Sequence, residues 1–372
     1  MSLSIRERLQ KILPLQLRQS PYKRRSQVDP YCINTNQLAQ PAAIDSKELS
    51  HQLERQNLLQ TLPRSVFFTL ILYCSASYGD IEDHLKKVEG KSNIHQMRNI
   101  DFIYMINLEK RPEKFAVASE QLHKHGIYPY RFSAVNGWEL SVEVINDVGL
   151  KFRPGMMPLK ATFYPIEGQG LPSYEFMREF GKTYFCHNMS RGSIGCALSH
   201  ISILKDAWDS GYEIIWVLED DIEVIGDPLT ISDLIDQLNA LVGKDNWDVL
   251  FTDQNYRMAN GEYMAANGAC ERPDMDCSLK ERYSEKYTIN EQISPDFRRI
   301  SARFATHSMI IQRSGIKKLL EFSLAHKIFL AYDLDNYLVP GIKRYALTQD
   351  LVTNMLGAPT DNEAPLYARK DQ

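Results

Sequence analysis

The chain has 372 residues, 44% of them hydrophobic and 24% charged, with a formal net charge of -4. That is room for one large α/β domain plus an extension, on an ordinary soluble-protein composition. The near-neutral balance excludes a global electrostatic case for nucleic acid or an anionic membrane, and Lys23-Arg24-Arg25 reads as a solvated terminus.

Residues 1–99 read as a polar, mainly helical N-terminal extension, with helical stretches at Ser2–Leu17 and Ser46–Leu62 and no recognisable chemistry. Inside it, Val66–Ala76 is a run of about a dozen apolar residues, short of the roughly 20 that a spanning helix needs. Its small-residue end resembles a secretory signal, but its depth in the chain favours a buried helix or strand. From Ile100 the character changes. Asp101–Leu108 is a strand, Arg111-Pro112 opens a helix to His125 with proline in the first turn, and Tyr128–Val135 is the next strand. A βαβ opening of this kind predicts a parallel sheet.

The stretch 151–188, rich in Pro and Gly, reads as a loop over the active site or an acceptor-binding insertion. Ser193–Ser210 has helical periodicity, and Glu213–Leu218 is a continuous apolar strand of the kind buried on both faces. Helix Ile231–Val242, strand Trp247–Thr252, strand Phe304–Ile311, helix Arg313–His326 and strand Arg344–Leu347 continue the alternation. Residues 357–372 form a tail. The six cysteines (Cys32, Cys74, Cys186, Cys196, Cys270, Cys277) lack zinc-site spacing and read as reduced thiols of a cytosolic protein. A Cys270–Cys277 bridge in an oxidising compartment is the alternative.

Glu219-Asp220-Asp221 is the sharpest local signal. Three carboxylates at the carboxyl end of a buried strand sit where open α/β sheets bind ligands, and their mutual repulsion calls for a cation. Hard oxygen donors suit Mn²⁺ or Mg²⁺, which take further ligands from substrate phosphates. The rival reading is a solvated acidic turn.

Four segments then resemble glycosyltransferase family 25, the group of lipooligosaccharide and collagen galactosyltransferases. They are Ile106–Lys114 (INLEKRPEK), Phe132–Gly137 (FSAVNG), Gly192–His200 (GSIGCALSH) followed by Leu218–Asp221 (LEDD), and Trp247–Leu250 (WDVL) with Arg313–Leu319 (RSGIKKL). Lys114 stands where the family carries Arg, and Asn136 where it carries Asp. The resemblance covers roughly residues 100–350, and Asp101–Trp138 and the Asp333 region look closest to members from chlamydia-like bacteria.

The resemblance implies an α/β, GT-A-like fold: a Rossmann-type mixed, mostly parallel sheet flanked by helices over 100–356. It also implies a UDP-sugar donor, a divalent metal, and a glycan or lipooligosaccharide acceptor, with the protein at most peripherally at the inner face of the membrane. Donor contacts fall on Asn107, Leu108, Arg111, Lys114, Val135, Asn136, Ser199, His200, Glu219 and Asp220. Of these, Arg111 offers a planar fork for phosphate, and its rival reading is a solvent-facing helix-start arginine. Without the family pattern, His200 reads as a hydrogen-bonded core histidine. Metal ligands fall on Glu219, Asp220 and Asp221, with His307 as a further ligand. Inverting transfer needs a carboxylate base, for which Asp333, Asp335 and Asp253 are the candidates, Asp333 first. A metal-dependent nucleotidyltransferase or sugar-phosphate hydrolase is the rival enzyme, and a non-catalytic glycan- or partner-binding protein is the rival outside catalysis.

Overall fold

The first strand, β1 (Phe102–Asn107), is buried along its whole length, as its unbroken apolar run requires of a strand covered on both faces. The computed structural model describes residues 80–368 apart from 93, 168–169, 188, 266–267 and 276–283. The expected helices at Ser2–Leu17 and Ser46–Leu62, the Val66–Ala76 run, and Cys32, Cys74 and Cys277 lie outside the described residues.

Pro112 sits at the start of α1 (Pro112–His123), and Gly126, at a φ of 70°, turns the chain toward β2 (Tyr130–Ser133). After the short α2 (Val142–Val148), the expected loop over 151–188 is instead a small antiparallel sheet. Its strands are β3 (Leu150–Lys151), β4 (Lys160–Phe163), β5 (Ser173–Phe176) and β6 (Thr183–Cys186), in the order β3-β6-β4-β5. Segments of four residues or fewer carry too little alternation to stand out from a loop in sequence.

Helix α3 (Arg191–Asp209) begins on Ser190, whose hydroxyl accepts the Ser193 N–H. It leads into β7 (Ile214–Glu219), the short β8 (Ile222–Val224), α4 (Ile231–Val242) and β9 (Val249–Phe251). Then come α5 (Glu285–Thr288), β10 (Asn290–Gln292), β11 (Phe297–Ile300), β12 (Ser308–Gln312), α6 (Arg313–His326), α7 (Tyr332–Leu338), β13 (Arg344–Leu347) and β14 (Val352–Asn354).

The large sheet has eight strands in the order β10-β11-β13-β9-β12-β7-β1-β2, and β14 pairs with β8 beside it. The β2, β1 and β7 strands are parallel, as are β9 and β13, but β12 runs against both β7 and β9. The sheet is therefore mixed rather than parallel. The segment 301–307 forms no helical crossover, so β12 enters from the edge where β7 and β9 end. It also replaces the first half of the expected Phe304–Ile311 strand, because Ala305 takes a φ of 65°.

One face of the sheet, with Ile103, Met105, Trp216, Leu218, Leu250 and Ile310, packs on Ala118 and Leu122 of α1 and on Ile231, Ile235 and Leu238 of α4. The opposite face meets α3, where the Tyr104 hydroxyl donates to Asp206 at 2.5 Å. This is the α/β, GT-A-like architecture expected from the sequence. Residues 80–99, expected to belong to the extension, bind the domain closely: Lys86 N–H donates to Ser202 Oγ at 2.9 Å, and Asp206 pairs with Lys91 at 2.6 Å.

Candidate active site

Strand direction gathers the polar residues at one edge. The parallel β1 and β7 end there in Asn107 and Glu219, and β9 ends there before Asp253. The reversed β12 begins there, so Thr306 and His307 join them, with Glu219 N–H donating to His307 O at 2.9 Å.

The acidic triplet divides into three environments. Asp220 accepts from Asn107 Nδ2 at 2.6 Å and from Lys114 Nζ at 3.3 Å. Asn107 is itself fixed, because its Oδ1 accepts from Arg131 Nε at 2.9 Å. Burial pushes Asp220 upward, and Lys114 and Asn107 oppose it only in part. Burial also acts on Glu219, but the hydrogen bonds from His200 at 3.1 Å and Thr306 at 2.8 Å outweigh it and hold the carboxyl down to about 2. Asp221 has no such help. Burial, then the charges of Glu219 and Asp220, push it up to about 6, and its Oδ1 is buried with no hydrogen-bond partner.

His307 lies at the start of β12, beside the end of β7. Its Nε2 lies 2.7 Å from Asp253 Oδ2, while Nδ1 is buried and without a partner. With Nε2–H donating to the carboxylate, Nδ1 carries the lone pair a metal takes, the common carboxylate–histidine–metal arrangement. Asp253 is completely buried, ion-paired to Arg303 at 2.7 Å and bonded to Thr353 Oγ1 at 3.0 Å. Its carboxylate is engaged by both Arg303 and His307.

The other expected residues separate. Ser199, completely buried, accepts the Val135 N–H at 2.8 Å and so holds the Val135–Gly137 wall of the cleft. There the backbones of Gly137 and Gly195 nearly touch: a Cβ on Gly195 would lie 2.5 Å from both Gly137 N and Val135 O. His200, 1% exposed, stacks on Tyr332 at 4.3 Å and stands behind Glu219 rather than in the cleft. Cys196, His200 and Glu219 bring ligand atoms within 4.8 Å of one another, a possible metal-binding group. Burial raises the Cys196 thiol well above its ordinary value, so a cation there would have to displace its proton.

Asn107, Leu108, Lys114, Val135, Asn136, Ser199, Glu219, Asp220 and Asp221 line one cleft, His200 and His307 are not among its lining residues, and Arg111 reaches its rim through Asp361. Sequence reasoning missed what closes this cleft. Asp361 accepts from Arg111 NH1 with both oxygens, at 3.0 and 2.8 Å, and Trp138 Nε1 donates to Asp361 O at 2.8 Å. Tyr367 OH lies 2.8 Å from Asn136 Nδ2. Trp138 directly follows the FSAVNG segment and was within reach of the sequence. The tail carried no signal of its own.

Asp333 and Asp335 open α7 and have different partners. Asp335 lies 2.5 Å from Arg272 NH1, and Arg272, completely buried, also binds Asp274 at 2.8 Å and the His326 and Lys327 carbonyls. Asp333 accepts only backbone N–H groups, from Ala305 at 2.9 Å and Leu334 at 3.0 Å. Burial pushes it up to about 6 despite them. It is not among the residues lining the Asp220 cleft.

A family model described as Glycosyltransferase family 25 (LPS biosynthesis protein) matches residues 100–335. A "Glycosyltransferase 25 family member" of Drosophila melanogaster is 29% identical over 172 residues, 46% of this chain and 23% of its own length. Another, of Aedes aegypti, is 29% identical over 155 residues, 41% of this chain and 21% of its own. The "Inactive glycosyltransferase 25 family member 3" of Mus musculus is 23% identical over 151 residues, 41% of this chain and 21% of its own. The match to this chain thus spans less than a quarter of each relative.

Proposed function

Since this chain belongs to glycosyltransferase family 25, we propose that its strand-end cleft transfers a hexose, galactose or glucose, from a UDP-sugar to an acceptor hydroxyl with inversion. The acceptor in this reading is a lipooligosaccharide or another glycan, and the site of action is the cytoplasm or the inner face of the membrane. Among the described residues no helix is long and apolar enough to cross a membrane. The likeness to chlamydia-like bacterial members belongs to the same proposal.

The observation that carries the reading is the gathering of Glu219, Asp220 and Asp221 in the strand-end cleft, where Asp221 Oδ1 is buried with no hydrogen-bond partner. In this reading a divalent cation, Mn²⁺ or Mg²⁺, would be held by the Glu219-Asp220-Asp221 carboxylates, with His307 as a further ligand, while the described ligand atoms that already lie within 4.8 Å of one another are those of Cys196, His200 and Glu219. When bound, such an ion would offset charge on the departing diphosphate. Around it, Lys114 supplies a cation to the phosphates, Asn107 and Arg131 fix the β1 end, and Ser199 sets the wall at Val135. Arg111 joins once Asp361 yields its guanidinium. Of the three candidate bases, Asp253 and Asp335 are ion-paired to arginines, whereas Asp333 has only backbone donors and a carboxyl raised to about 6. Asp333 is therefore the base in this mechanism.

The alternative, a non-catalytic binding protein on the same fold, draws support from the inactive mouse relative and from Asp361 occupying Arg111. Incubating the full chain with UDP-galactose or UDP-glucose, Mn²⁺ and oligosaccharide acceptors decides between them. Metal-dependent UDP release supports transfer, whereas UDP-sugar binding without any turnover favours the alternative.

A further inference from the structure

At the sheet edge opposite the donor cleft, where β13 begins, a second pocket opens between β11, α7 and the end of α4. Its walls include Lys286, Arg299, Lys343 and Arg344 beside Tyr287 and Tyr337, and among the described residues no Asp or Glu lines it. Arg344 is 5% exposed. Its NH1 donates to Ser301 O at 2.7 Å, but its NH2 is buried with no hydrogen-bond partner, and so is the Tyr337 hydroxyl. The Tyr337 ring lies 6.0 Å from the guanidinium.

The buried carboxylate nearby is already taken. Asp248 accepts from Ser314 Oγ at 2.6 Å, Lys318 Nζ at 2.7 Å and Lys343 N–H at 2.7 Å. Arg299 reaches Glu291 on the exposed neighbouring strand, and Lys343 Nζ has the neutral Asn246 Oδ1 at 2.8 Å. A buried guanidinium N–H without an acceptor is costly, and burial lowers Arg344 to about 10 although the Asp248 charge acts the other way. Among the described residues the pocket's own lining supplies no carboxylate. A tetrahedral oxyanion suits the donor fork of arginine, with the Lys343 ammonium beside it.

We propose that this pocket is a second binding site, for a phosphate-bearing ligand held by Arg344, Lys343 and the Tyr337 hydroxyl. It is separate from the donor cleft and does not rest on the transfer reaction. The phosphate belongs either to a soluble molecule or to a lipid headgroup.

The test uses the full chain with two probes: inorganic phosphate in calorimetric titration, and vesicles containing phosphatidic acid in co-sedimentation. Lys343→Gln changes an exposed side chain, and Arg344→Lys keeps charge but loses the fork. Arg111→Gln removes the donor-cleft arginine as a control. Binding of either probe that persists in Arg111→Gln and weakens about tenfold or more in Lys343→Gln supports the site. The probe that binds then names the source. Binding of neither probe, binding indifferent to Lys343→Gln, or binding abolished by Arg111→Gln overturns it, and the last result would move the anion to the donor cleft. Because Lys343→Gln is at the surface, an unfolded Arg344 variant does not block the decision.

Discussion

Asp361 sets both of its carboxylate oxygens on one guanidinium nitrogen of Arg111, at 3.0 and 2.8 Å, across 250 residues of sequence. Both side chains are largely buried, at 11% and 7% exposure. A donor phosphate that uses Arg111 has to displace or share this carboxylate. Asp361→Asn should therefore tighten UDP binding several-fold in calorimetry. It should also cost about 1–3 kcal/mol of stability, because Arg111 keeps only Glu113 as its ionic partner. Weaker UDP binding in a folded variant would make Asp361 a component of the donor site instead of a competitor.

Removal of the metal ligand should be readable without turnover. Mn²⁺ should raise the melting temperature of the wild-type chain and leave that of Asp221→Asn unchanged, since only the former binds the ion. UDP-sugar turnover should fall at least about 10²-fold in the variant. An equal Mn²⁺ shift in both proteins would point to the Cys196, His200 and Glu219 group.

Asp333 carries the pH dependence. Burial pushes its carboxyl up to about 6 from an ordinary 3.8, so under the proposed mechanism the base ionises and transfer should rise as pH climbs through 6. Stability runs the other way. The raised value means the fold binds the proton more tightly than the unfolded chain does. That contribution is complete below about 3.8 and is lost as pH rises through about 6. Asp333→Asn should lower kcat by about 10²–10⁴-fold and gain stability relative to wild type between pH 4 and 7. A kcat within a few-fold of wild type would remove Asp333 from the mechanism.

Asp335→Asn, harmless if that residue were an idle neighbour of the base, should instead destabilise by about 1–3 kcal/mol. It takes a charge from the completely buried Arg272, which retains Asp274. Chemical denaturation measures this directly, and a donor affinity like that of wild type would show that the damage is to the scaffold.

Signals local in sequence were legible. The apolar runs of β1 and β7, the proline opening α1, the periodicity of α4 and α6, and the strand-end triplet all lie within a few residues of what they determine. The site's supports are non-local and left no pattern. Arg272 meets Asp335 across 63 residues, and His307 meets Asp253 across 54. The reversal of β12 was hidden for a similar reason. Phe304–Ile311 is apolar enough to read as one strand, and the positive φ of Ala305 delays its start to Ser308. A boundary at residue 100 likewise missed that Lys86 and Lys91 are fastened to α3.

The main-chain contact between Gly137 and Gly195 bears on how the cleft could be re-engineered. One wall rests on the other through backbone atoms, with no side chain between them to shorten or repack. The spacing of the walls is therefore a rigid gauge that substitutions elsewhere in the core cannot dial wider. Under the proposed function, a change in which sugar nucleotide fits would come from exchanging the groups that face the gap, such as Asn136, Trp138 and Lys114. Libraries aimed at a new donor should spare both glycines and randomise those positions.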